Sequence, residues 1–228
     1  MVKKKESMSY DISERNIPLS LPVLDLREGR DEILKYFRNT WELTEILFSS
    51  LDSEEAFYRR PYHKTRHPLI FYYAHPVCFY VNKLLVSGLI RDPVNREFEL
   101  LFETGVDEMT WDDLHEGDQE VWPTLNEVRV YRDQVYAIVT DLIKVHPAFE
   151  EPITQEKATW SLVMAFEHER IHLETSSVLI RELPRELVRK PTGWPEHFKE
   201  IEASGREAKL GFNYEKNPFI QVGSSSVD

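Results

Sequence analysis

The sequence predicts an all-α protein, an up-and-down four-helix bundle followed by an irregular C-terminal tail. Three observations carry that prediction. Four long segments repeat their apolar residues at helical spacing, prolines punctuate their ends, and the composition changes character from residue 191 onward. Four such helices bury their apolar faces most completely against one another.

Residues 1–30 read as an N-terminal arm. Its start, MVKKKESMSYD, carries three lysines with no apolar run behind them, which is unlike a secretory signal and suits a solvated terminus. The bundle is expected over residues 31–190. Its first helix, 31–51, places Ile33, Leu34, Phe37, Trp41, Thr44, Leu47, Phe48 and Leu51 on one stripe. The second, 68–86, opens at a proline suited to a first turn and is apolar nearly all round, so it should be the most buried. Pro76 lies inside it and removes one backbone donor, so a loosened turn is expected beside His75. The third, 125–145, has a stripe of Val128, Tyr131, Val135, Ile138, Val139 and Leu142, with Pro147 just beyond its end. The fourth, 154–183, stops before Pro184. Between the second and third lies ETGVDEMTWDDLHEGDQEVWP, an acidic, aperiodic connection of a length that is usually functional or holds short helical turns. Residues 191–228 are richer in proline, glycine and serine. Phe219 to Val222 look like the first strand of a further unit.

Composition narrows the function. A chain of 228 residues suits one domain with appendages. Its net charge of -12 would repel a phosphate backbone, which argues against nucleic-acid binding. A single cysteine, Cys78, rules out an intramolecular disulfide framework and fits a reducing, cytoplasmic setting; it reads as a small buried hydrophobe. No segment reads as a membrane span, and a membrane partner is not expected.

The chemistry concentrates in EHERIHLE, residues 167–174. His168 and His172 are four apart, so on a helix their rings leave one face about a turn apart and can share a metal ion. The competing reading is a half-buried pair satisfied by Glu167, Glu169 and Glu174. At ~100° per residue, Glu174 lies far round the helix from the histidines. It suits a supporting or interhelical contact better than direct ligation. Ser161, Met164, Ala165, Thr175, Ser176 and Leu179 share the histidine face, which is small and neutral and leaves room for a ligand. A third ligand must come from another helix. His115, His146 and His197 fall in loops or the tail, and His63 and His67 precede the second helix. Only His75 sits within a strongly apolar helix, where an unpaired imidazole is expensive to desolvate. A hydrogen bond to the third helix or to a tyrosine would satisfy it as well as a metal.

The stretches RHPLIFYYAHPVCFYVNKLL, GVDEMTWDDL, WPTLNEVRVYRDQV and AFEHERIHLETSSVLIREL occur in this order and resemble the amino-terminal region of the 5-histidylcysteine sulfoxide synthases, the OvoA-type enzymes of ovothiol biosynthesis. HERIHLE is similar to the His-x-x-x-His-x-Glu motif they share with the ergothioneine sulfoxide synthases. The resemblance spans residues 24–183. It implies a DinB-like bundle that holds non-haem Fe(II) through three histidines, which fall on His75, His168 and His172. It further implies an oxidoreductase that joins the sulfur of cysteine to an imidazole carbon of histidine, with dioxygen as co-substrate, and leaves a sulfoxide. Enzymes of this type continue into a formylglycine-generating-enzyme-like domain, often with a methyltransferase domain after it. NPFIQVGSSSVD resembles the beginning of the former, so a further domain or chain is expected to complete the substrate pocket and to carry the family's proposed catalytic tyrosine. Tyr72, Tyr73 and Tyr80 receive no catalytic role from sequence, and Arg66 and Arg129 suit either a substrate carboxylate or surface ion pairs. Two other readings stand beside this one: a stand-alone DinB-family thiol transferase or hydrolase with Zn or Ni, and a non-catalytic helical interaction module.

Overall fold

Six helices form within residues 23–63, 66–103 and 121–191, the residues described by the structure, a computed structural model. They belong to one compact unit. The tail with Phe212, Tyr214 and Phe219 to Val222, most of the acidic connection, and His115 and His197 lie outside the described residues.

Helix α1, Arg30–Phe48, buries Ile33, Leu34, Phe37, Trp41, Leu47 and Phe48, as its stripe predicts. It ends short of residue 51 because the hydroxyls of Ser49 and Ser50 donate to the carbonyls of Ile46 and Leu47 at 2.7 and 2.6 Å. Those bonds close the last turn, and Leu51 then forms an isolated bridge with Val188. A short α2, Glu54–Tyr58, follows.

Helix α3, Leu69–Val86, runs unbroken through Pro76. Proline leaves the carbonyl four residues back, that of Tyr72, without its helical donor and loosens that turn. The neighbouring carbonyl of Tyr73 accepts a further hydrogen bond, from Arg132 Nη1 at 2.6 Å. By length and mean hydropathy α3 alone among the described helices qualifies as a membrane span, but 72% of it is buried inside the bundle, which accounts for its apolar character.

Helix α4, Arg96–Leu101, was not expected from periodicity. Asn95 caps it by accepting from the Phe98 amide at 3.2 Å, and buried Glu99 accepts from the Val94 and Asn95 amides at 2.8 Å each. Helix α5, Leu125–Val145, opens with a capping box in which Thr124 and Glu127 satisfy each other's amides. Helix α6, Trp160–Arg181, starts later than residue 154. Over residues 154–162 the backbone bonds run to the third residue back, Lys157 to Thr154, Trp160 to Lys157 and Leu162 to Thr159, so the segment is a run of turns before the helix proper.

The four long helices pack in the cyclic order α1, α6, α3, α5. Arg30 reaches the Lys144 carbonyl while Arg132 reaches Glu45, so α1 and α5 are antiparallel. Tyr36 meets Phe166 and Asn39 meets Arg170, so α1 and α6 are parallel. Tyr72 meets His172, Phe79 meets His168 and Ser87 meets Ser161, so α3 and α6 are antiparallel. The helices therefore run up, down, down, up, not in strict alternation. The physical reason is the long connection over residues 87–124, which includes α4 and returns the chain to the end of the bundle where α3 began.

Candidate metal centre

Three imidazoles meet between α3 and α6. His75 Nε2 lies 3.2 Å from His168 Nε2, which lies 3.2 Å from His172 Nε2. All three ligand atoms fall within 4.8 Å of one another, a group that can hold a metal ion. Two ligand nitrogens at ~2.0–2.1 Å from one ion, subtending ~90–109°, stand about 2.8–3.4 Å apart, and the two 3.2 Å spacings to His168 fall in that range.

Each ring is fixed by its surroundings. His75 is 5% exposed, and its Nδ1 donates to the carbonyl of Phe102 at 2.6 Å, which turns the Nε2 lone pair toward α6. Its ring stacks on Phe71 at 4.9 Å, and Phe79 stacks on His168 at 3.8 Å. Burial is the largest influence on all three and favours the neutral ring. His168 is pulled down to about 2 by burial and then by its two histidine neighbours, and His172 to about 3 by burial and then by His75. His75 is lowered by burial, with the Phe102 carbonyl acting in the opposite sense. Neutral imidazoles with convergent lone pairs form a donor set for a divalent metal.

The carboxylates of EHERIHLE do not satisfy these rings. Glu167 accepts from the Tyr36 hydroxyl. Glu169 is fully buried and accepts from Thr44 Oγ1 and Tyr80 OH, each at 2.8 Å, across α1 and α3. Glu174 is exposed and its carboxylate forms no hydrogen bond or ion pair with a described residue. The Nδ1 atoms of His168 and His172 likewise have no hydrogen-bond partner among the described residues. His75 bonds neither to a tyrosine nor to α5, the two alternatives open from sequence.

The remaining described histidines serve elsewhere. His67 packs at a tilt against Phe71, His146 Nδ1 accepts from the Ala148 amide at 3.2 Å, and His63 is exposed. A profile of the DinB superfamily matches residues 36–176, which include all three converging histidines. The chain belongs to the DinB superfamily. No curated protein matches the sequence.

Behind the histidines this DinB bundle holds a buried polar network that sequence reasoning missed. Arg132, 1% exposed, donates from Nε and Nη2 to Glu45 Oε1 at 2.9 and 2.6 Å, and lies 4.4 and 4.2 Å over the rings of Trp41 and Tyr73. Tyr73 donates to Glu45 Oε2 at 2.9 Å. Two tyrosines of α3 are thereby committed, Tyr73 to Glu45 and Tyr80 to Glu169. Periodicity does place Arg132 beside Val128 and Val135 on the apolar stripe of α5, and that placement was the available signal.

Proposed function

We propose that His75, His168 and His172 bind one divalent metal ion, Fe(II), and that this DinB domain serves an oxygen-dependent sulfoxide synthase coupling the sulfur of cysteine to an imidazole carbon of histidine. The observation that carries the metal reading is the convergence of three imidazole Nε2 atoms, His75 and His172 each 3.2 Å from His168. The choice of iron and of this reaction is supported by the ordered motifs that resemble the sulfoxide synthases.

In the overall reaction the thiol S–H and an imidazole C–H are replaced by a C–S bond and a sulfoxide. Dioxygen takes the four electrons released, giving one oxygen atom to sulfur and the other to water. Bound iron would supply a centre where a thiol is ionised and dioxygen is reduced. The chain's own residues hold the donors in place. The Phe102 carbonyl fixes which nitrogen of His75 faces the site. Phe71 and Phe79 pack against two of the rings and keep water from those faces. Three histidine ligands leave further positions on a divalent ion for substrates.

The test begins with anaerobic metal analysis of the purified chain, followed by dioxygen uptake with cysteine and histidine and mass spectrometry of the product. One iron per chain is expected, with little or no histidine–cysteine sulfoxide until the further domain or chain implied by the sulfoxide synthase resemblance is supplied. Tight zinc or nickel, with no dioxygen uptake, would replace this reading by a thiol transferase or hydrolase. A chain that holds no metal would leave a helical interaction module.

A further inference from the structure

The three-histidine centre has two unlike ends. Because α3 and α6 are antiparallel, a step toward the N-terminus of α3 and a step toward the C-terminus of α6 lead in the same direction. Toward one end lies Phe79, stacked on His168. Toward the other lie Tyr72, one turn before His75, and Ser176, one turn after His172. The Tyr72 ring centroid is 6.0 Å from that of His172. Tyr72 is 0% and Ser176 1% exposed, and neither hydroxyl has a hydrogen-bond partner among the described residues.

Both omissions are unusual. A buried hydroxyl that forms no bond is destabilising, so such groups are nearly always paired. Tyr73 and Tyr80 on the same helix each donate to a carboxylate. Helical hydroxyls generally hand their proton to the carbonyl one turn back. Thr40 and Thr175 do so, at 3.0 and 3.4 Å, while Ser176, like Thr140 of α5, does not. With no acceptor of its own, the buried Tyr72 hydroxyl is a donor in waiting beside His172.

Resting on the metal reading above, we infer that Tyr72 and Ser176 form the polar wall of the centre and donate hydrogen bonds to an anionic ligand held at the metal. The class that fits is a small anion or the thiolate or carboxylate of an amino-acid substrate. It would replace the missing partners of both hydroxyls at once.

The experiment uses the Co(II)-loaded chain titrated with azide and followed by visible absorption, for the wild type, Tyr72→Phe, Ser176→Ala and, as control, Tyr73→Phe. Tyr72→Phe should retain one cobalt per chain and a thermal midpoint no lower than wild type, yet bind azide ~10-fold or more weakly, as loss of a hydrogen bond to a charged group predicts. Ser176→Ala should weaken azide in the same sense, while Tyr73→Phe should lower the midpoint and leave the azide constant unchanged. Azide constants within about twofold of wild type in both Tyr72→Phe and Ser176→Ala, with full cobalt, would overturn the inference alone. Loss of cobalt from Tyr72→Phe would also overturn it, since Tyr72 would then be a prop for the ligands. A wild-type chain that takes up no cobalt overturns the metal reading and this inference with it.

Discussion

Replacing Glu45 with alanine should be among the most destabilising single changes available in this bundle. Glu45 accepts two hydrogen bonds from Arg132 and one from Tyr73. Arg132 cannot escape by losing its proton. Burial pulls its pKa down, but the surrounding acidic groups, Glu45 first, outweigh that and the net shift is upward. The variant would bury a full positive charge at 1% side-chain exposure, left with the Tyr73 carbonyl as its hydrogen-bond acceptor, two aromatic faces and the field of Glu169. Removing one partner of a buried pair costs ~3–5 kcal/mol. Glu45 is itself 17% exposed, so water entering the vacated space brings the expectation toward the lower figure, about 3 kcal/mol. A domain has ~5–15 kcal/mol in all. With a urea slope of ~1–3 kcal/mol per molar, the unfolding midpoint should fall by about 1–3 M, read by far-ultraviolet circular dichroism. Replacing Glu45 and Arg132 together by methionine removes the charge as well as its partner, and most of the stability should return. A Glu45→Ala loss below ~1 kcal/mol would refute the reasoning, because the guanidinium would then have found solvent or another anion.

Replacement of His75, His168 or His172 by alanine should each cut metal stoichiometry sharply in plasma emission analysis, and full occupancy in His75→Ala would remove His75 from the site. Glu174→Gln should change metal affinity less than ~10-fold, since its exposed carboxylate makes no contact with the rings; a loss equal to that of His172→Ala would contradict this placement. Chelating the metal should lower the unfolding midpoint, by ~4 kcal/mol of stability when free metal had stood at ~1,000 times its dissociation constant. The Cys78 thiol is pushed up to about 12, by burial and, less strongly, by Glu99, with Tyr131 opposing. It should resist a thiol reagent at pH 8 until urea unfolds the chain. Because the folded thiol holds its proton while the unfolded one ionises above its ordinary value of 9.0, Cys78 should contribute a loss of stability as pH rises from there to about 12, and Cys78→Ala should flatten that slope.

The four long helices were legible because each carries a continuous apolar stripe, and His75 stood out because that environment gives an imidazole no obvious partner. The short helix α4 was not legible by periodicity, although Asn95 as a cap with Phe98 and Phe102 behind it was a usable signal. Helix direction was harder. Short-loop reasoning favours alternation, and only contacts across the bundle reveal that α3 and α5 run the same way. The carboxylates were the least legible part of the site. In EHERIHLE helix geometry sets Glu174 apart, and it faces solvent, but it does not tell Glu167, which meets Tyr36, from Glu169, which is buried. What separates them is the partners that α1 and α3 present, Thr44 and Tyr80 above all, and no local pattern encodes those.

The bond from His75 Nδ1 to the Phe102 carbonyl bears on how the domain can be rebuilt. A main-chain oxygen holds the ring, so no side-chain substitution at Phe102 removes the acceptor itself; only displacement of the backbone does. Phe102 stands at the C-terminal end of α4, where the chain leaves for the long connection to α5. That makes it a fixed post: length changes placed after Glu103 leave the oxygen where it is, whereas a single residue inserted between Asn95 and Phe102 would turn the end of α4 by ~100° and carry the oxygen away from the ring. Grafts and insertions meant to alter what this domain meets belong on the far side of that post.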